Sequence, residues 1–215
     1  MQTHHLAVSR TARYVTLGPT DEPVGQIWIA CHGYGQLAPG FAEGLRALDD
    51  GSRLVVVPEG LSRYYVDAAT RRVGASWMTS EEREHEVDDY VAYLDALYAH
   101  VTARAKRTAG CALCVLGFSQ GAATAARWAV LGASRVNRLV LWGGDVPPDL
   151  DLEGGAVRLA DTDVVLVAGS RDRFVDTAFL LGQTARLDRH RIRHEVRRFE
   201  GGHRLDDDTL RALAT

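Results

Sequence analysis

Short apolar runs rich in Val, Leu and Ile alternate along this chain with longer stretches whose apolar residues recur at three- and four-residue steps. Continuous apolar runs bounded by turn residues read as strands buried on both faces, and the 3.6-residue period reads as helices packed over them. The runs at 27–31, 54–57, 111–116, 138–142, 164–168 and 194–199 are the expected strands. Helical patterns are expected near 40–48, over 82–106, after 120, over 175–188 and at the chain's end. Alternation of this kind predicts an α/β fold, with a mostly parallel central sheet and helices on both faces. Residues 6–9 and 13–17 read as an N-terminal antiparallel hairpin, with Pro19-Thr20-Asp21-Glu22-Pro23 as the turn before the first central strand.

The clearest helix is that over 82–106, where Val87, Val91, Leu94, Tyr98 and Val101 form one apolar stripe. Acidic residues crowd its first turns, as the helix dipole favours, and His85 among them reads as a solvated surface group. Residues 60–80 have no clear period, although they hold Tyr64, Tyr65, Trp77 and Met78. This reads as the longest irregular stretch, and in a compact domain such loops are often functional. The segment 143–162 reads as a polar Pro- and Gly-containing link. No repeat or inter-domain linker interrupts the pattern, so residues 1–215 are expected to form a single domain.

Composition narrows the function classes. The chain has 215 residues, 46% hydrophobic and 25% charged, with a net charge of -3. Charges of both signs are interspersed, which argues against a nucleic-acid partner. No apolar run approaches the ~20 residues of a membrane span, so no stable membrane insertion is expected. Without a visible secretory signal the expected location is cytoplasmic. Cys111 and Cys114 lie three apart on one strand and so face opposite ways. With Cys31 they read as reduced core residues rather than a disulfide or metal set.

Candidate chemistry sits at the strand ends. Gly117-Phe118-Ser119-Gln120-Gly121 lies between an apolar strand and a small-residue helix. Strand, G-x-S-x-G, helix is the context of a nucleophile elbow, which holds a serine hydroxyl above the sheet edge. Later strands end near Asp172 and His203, and an earlier one ends at His32-Gly33-Tyr34-Gly35. Ser119…Asp172…His203 is the chain order of the α/β-hydrolase triad, and each gap holds at least one βα unit. In that reading Ser119 is the nucleophile, His203 the general base and Asp172 the group that orients the imidazole. The backbone N–H groups of Tyr34 and Gln120 are the candidate oxyanion donors. Asp145 is the runner-up acid. Asp161 and Asp163 sit at the wrong strand end, and Asp176 reads as a helix cap. His32 precedes the serine and reads as a hydrogen-bonding group within its own loop. Tyr34, Trp77 and Trp142 are the candidate substrate-binding side chains.

Gly-Phe-Ser-Gln-Gly-Ala at 117–122, His-Gly-Tyr-Gly at 32–35, Pro-Glu-Gly at 58–60 and Ser-Trp at 76–77 resemble the phospholipase/carboxylesterase group of α/β-hydrolases. The resemblance runs in order from about residue 25 to 205. It implies a Ser119–Asp172–His203 triad and no metal or organic cofactor. It also implies a small-molecule ester substrate, with lysophospholipase and acyl thioesterase as related activities. The family's oxyanion loop commonly reads His-Gly-Leu-Gly-Asp, whereas here Tyr34 and Gln36 stand in it. Trp142-Gly143-Gly144-Asp145 likewise replaces a small-residue Ser-Gly segment. Aromatic walls at these places suit a short acyl or aryl ester. A homodimer is compatible with the sequence, and a non-catalytic binding module is the reading from a different class.

Overall fold

The computed structural model describes residues 1–214. Its main sheet is built from β1 (Tyr14–Leu17), β2 (Val24–Cys31), β3 (Arg53–Pro58), β6 (Arg107–Phe118), β7 (Arg138–Trp142), β8 (Asp163–Gly169) and β9 (His194–Phe199). The spatial order is β1-β3-β2-β6-β7-β8-β9. All neighbours are parallel except β1, which runs antiparallel to β3 with Tyr14 opposite Pro58. The expected antiparallel edge is therefore present, but its partner differs. Residues 6–9 form no strand, and β1 pairs with β3 instead. Leu6 and Val8, which would share one face of such a strand, stay exposed, since an isolated two-stranded hairpin there has no core to bury them against.

Neighbouring strand residues serve opposite cores, which explains the continuous apolar runs. Ile27, Ile29, Leu54, Val56, Leu113 and Val115 pack on one face. That face is covered by α2 (Arg83–Thr102), α3 (Gln120–Leu131), α4 (Leu152–Leu159) and α5 (Thr177–Arg189). Trp28, Ala30, Val55, Val57, Cys114 and Leu116 pack on the other, under α1 (Ala38–Glu43) and α6 (Asp207–Leu213). Cys111 and Cys114 do lie on opposite faces, and all three cysteines are free.

Two stretches are more regular than their sequences suggest. Residues 62–76 form an antiparallel hairpin, β4 (Ser62–Asp67) and β5 (Arg72–Ser76), not an irregular loop. The 143–162 link contains α4, capped by Asp151, whose carboxylate accepts from the Glu153 and Gly154 N–H groups. No described helix is long and apolar enough to cross a membrane.

Candidate active site

Between β6 and α3 the chain turns on one residue. Ser119 has φ 54 and ψ -119, a conformation that non-glycine residues rarely adopt and that costs on the order of 1–3 kcal/mol. Its N–H donates to the Trp142 carbonyl at 2.8 Å, and its carbonyl accepts from the Ala122 N–H at 2.9 Å. The turn also needs bare backbone on either side. A Cβ at Gly117 would collide with the Gly121 carbonyl, and one at Gly121 with the Cys31 carbonyl. The G-x-S-x-G spacing is thus a steric requirement of the turn.

Asp172 follows β8 and His203 follows β9, neighbours in the sheet. His203 Nδ1 lies 2.8 Å from Asp172 Oδ2. The other oxygen, Oδ1, accepts from the Phe174 and Val175 N–H groups at 2.8 and 3.3 Å. The carboxylate side chain is 2% exposed and the imidazole 18%. A carboxylate only accepts, so the hydrogen of the neutral ring sits on Nδ1 and the lone pair on Nε2. The ring packs 4.8 Å from both Phe118 and Phe174. Gly143, at φ +60, makes room for it, since a Cβ there would approach His203 Cε1 to 3.0 Å. Phe118 and Gly143 therefore bring His203 against the serine turn. Among the described residues the Ser119 hydroxyl has no hydrogen bond to the ring, an open geometry common before a substrate binds.

The loop after β2 faces the same turn. His32 is fully buried; its Nε2 accepts from the Gly60 N–H at 2.9 Å, so Nδ1 donates to the Gly33 carbonyl at 2.8 Å. Burial, partly offset by that Gly33 bond and by Glu59, holds the ring below the ordinary histidine range and keeps it neutral. It acts within its own loop, as its position before the serine suggested. Gly33 N–H is held by Gln36 Oε1, Gly35 N–H by the Ala75 carbonyl and Gln36 N–H by the Gly33 carbonyl. Tyr34 N–H is the remaining backbone donor of that loop. Gln120 N–H opens α3, where the first N–H groups have no partner within the helix.

The candidate pocket residues separate in the structure. Trp142 is 1% exposed and donates from Nε1 to the Arg204 carbonyl, so it buttresses the His203 loop from the core. Trp77, 2% exposed, donates to the His32 carbonyl and supports the Tyr34 loop from beneath. Tyr34 alone of the three reaches the surface, 60% exposed and 5.3 Å from the Tyr64 ring. A cavity of about 260 Å³ lies beside Ser119, lined by Gln120, Asp145, Phe174 and Phe179 among others. Another of about 310 Å³ adjoins His203, Phe118, Gln36, Phe41 and Leu205.

Other contributors escape a sequence reading. The Gln120 side chain, not only its N–H, matters: Nε2 donates to the Met78 carbonyl and Oε1 accepts from the Trp77 N–H, tying the elbow to the end of β5. Phe174 packs on His203 from two residues beyond Asp172, a placement that its strand-end position could have signalled. Asp176 caps α5 by accepting from the Phe179 N–H, as expected. Among the described residues one cluster, His5, Glu82 and His85, has its ligand atoms close enough to share a metal ion, and all three are exposed.

The phospholipase/carboxylesterase family model matches residues 14–215. Comparison with curated proteins gives no match. Among solved structures, acyl-protein thioesterase 2 of Zea mays is similar at a TM-score of 0.72 and 18% identity, covering 95% of this chain and 96% of that one. A carboxylesterase of Mesorhizobium loti has a TM-score of 0.72 at 18% identity, covering 94% and 92%. The carboxylesterase of Bacillus cereus has a TM-score of 0.66 at 16% identity, also covering 94% and 92%. The strand order, the elbow and the family match together place this chain in the phospholipase/carboxylesterase family of α/β-hydrolases.

Proposed function

We propose that this chain is a serine hydrolase of carboxylic esters with short acyl or aryl groups, working through an acyl-enzyme. The observation that carries this reading is the 2.8 Å His203–Asp172 bond set against the strained Ser119 turn. Ser119 Oγ attacks the ester carbonyl while His203 Nε2 takes its proton, and Asp172 stabilises the imidazolium that forms. The oxyanion is met by the Tyr34 and Gln120 N–H groups, with the positive end of α3 behind them. His203 then protonates the departing alcohol, and water, deprotonated by the same ring, releases the acid and restores Ser119. Cavities of about 260 and 310 Å³ sit at or below the small end of ligand sites, which favours short groups.

A fluorophosphonate is expected to label the protein on Ser119, with labelling lost in Ser119→Ala. A folded wild-type protein that stays unlabelled would leave the binding-module reading instead. The Zea mays neighbour's thioesterase name motivates the second reading, and oxygen and sulfur esters of one acyl series separate the two. Highest kcat/KM on long-chain thioesters or lysophospholipids would overturn the short-ester assignment.

A further inference from the structure

The cavity beside Ser119 has one charged side chain in its lining, Asp145. Among the described residues Asp145 makes no hydrogen bond or ion pair. Of the nearby charges, Arg186, Asp176 and Asp172 are engaged elsewhere. Arg186 donates to the carbonyls of Val146, Pro147, Pro148 and Leu150, beneath the loop that follows Asp145. Asp176 caps α5, and Asp172 is held by His203 and two N–H groups. Two aromatic rings, Phe174 and Phe179, share the cavity. Phe174 is 58% exposed and already carries a cation on its face, the exposed Arg173 guanidinium 4.8 Å from the ring centroid.

A substrate entering this cavity strips water from the Asp145 carboxylate. A neutral acyl or alcohol group gives nothing in return, and a desolvated, unpaired charge is costly. A cation returns the lost solvation through the carboxylate and gains further from the aromatic faces. We propose that the cavity beside Ser119 takes a cationic group of the substrate, an alkylammonium or quaternary ammonium carried by the ester, against Asp145, Phe174 and Phe179. This specificity rests on the esterase reading above. The neighbouring cavity is lined by both Arg204 and Asp207, so its charges offset and it suits the neutral half of the ester.

Two pairs of isosteric esters test the inference. Choline acetate against 3,3-dimethylbutyl acetate places the charge in the alcohol. The p-nitrophenyl esters of 4-trimethylammoniobutyrate and 5,5-dimethylhexanoate place it in the acyl group. Each kcat/KM is divided by the ester's own alkaline hydrolysis rate, which removes the intrinsic activating effect of the cation. The expected result is a preference of about tenfold for the cation in at least one pair, weakened by salt and by Asp145→Asn. A neutral ester equal or better in both pairs overturns the inference, as does a preference that survives Asp145→Asn unchanged. Should that variant not fold, tetramethylammonium must inhibit wild type competitively at concentrations where tert-butanol does not; equal inhibition overturns the inference. Loss of all four hydrolyses in protein that a fluorophosphonate does not label instead sinks the esterase reading, and this one with it.

Discussion

The two oxygens of Asp172 do different work. Oδ1 is pinned by the Phe174 and Val175 N–H groups, and Oδ2 faces His203 Nδ1. In Asp172→Asn the amide oxygen takes the pinned place, because backbone N–H groups need an acceptor. The amide nitrogen then points at His203 and drives its hydrogen to Nε2, where the lone pair is needed. The expected result is a fall in kcat of roughly 10³–10⁴ on p-nitrophenyl acetate, with a melting temperature little changed. A loss below tenfold would count against the proposed pairing of His203, as base, with Asp172. The Ser119 turn and the His203–Asp172 contact were legible in the sequence because strand ends collect functional groups and because Gly117 and Gly121 mark the turn. Trp142 was not legible as a core residue. Its one-letter context is the same whether a strand-terminal indole turns inward or into the cleft, and only the Arg204 carbonyl it meets decides the matter.

At the scale of elements, the β4–β5 hairpin is the part that the pattern hid. β4 alternates half-buried and exposed positions without alternating apolar and polar residues, β5 buries the consecutive small residues Gly74, Ala75 and Ser76, and the connection has no Asn-Gly signal. The usable cue was Asp67, which accepts from the Ala69 N–H and the Thr70 hydroxyl as an Asx-type turn. The hairpin matters because Gly35 N–H donates to the Ala75 carbonyl and Ala75 N–H to the Gln36 carbonyl, so β5 sets the height of the Tyr34 loop. A Cβ at Gly74 would press on the Gly35 carbonyl and the Val66 side chain. Gly74→Ala is therefore expected to lower kcat by about 10- to 100-fold by displacing Tyr34 N–H, the oxyanion donor proposed above. Fluorophosphonate labelling would slow in step, while the far-UV circular dichroism stays native. Undiminished kcat in Gly74→Ala would detach the hairpin from catalysis.

Across the whole molecule, Glu59 joins pieces that the sheet alone does not. Its buried carboxylate accepts from Arg13 before β1, from Arg63 in β4 and from the Ala38 N–H that opens α1. The next residue, Gly60, donates to His32. Pro58-Glu59-Gly60 was visible in the sequence as a family motif, but its partners are too far apart along the chain for local reasoning to find. Burial pushes the Glu59 carboxyl up, and the bonds from Arg13, Arg63 and Ala38 outweigh it, leaving the group below the usual carboxylate range. A carboxyl lowered on folding stabilises the protein fully above its unfolded value and loses that contribution as pH falls through the folded one. Glu59→Gln keeps the shape but not the charge, and both arginines are partly exposed and can return to water. The expected cost at pH 7 is about 1–3 kcal/mol, or several degrees in melting temperature for a chain of this size. As pH falls below the unfolded carboxyl's value of about 4.3 the wild-type and Glu59→Gln melting curves should begin to converge, and they should meet once the pH has passed below the folded carboxyl's still lower value. Urea or thermal melts from pH 7 to pH 3 read this directly. An offset that stays constant over that range would mean that the charge of Glu59 is not what stabilises the fold.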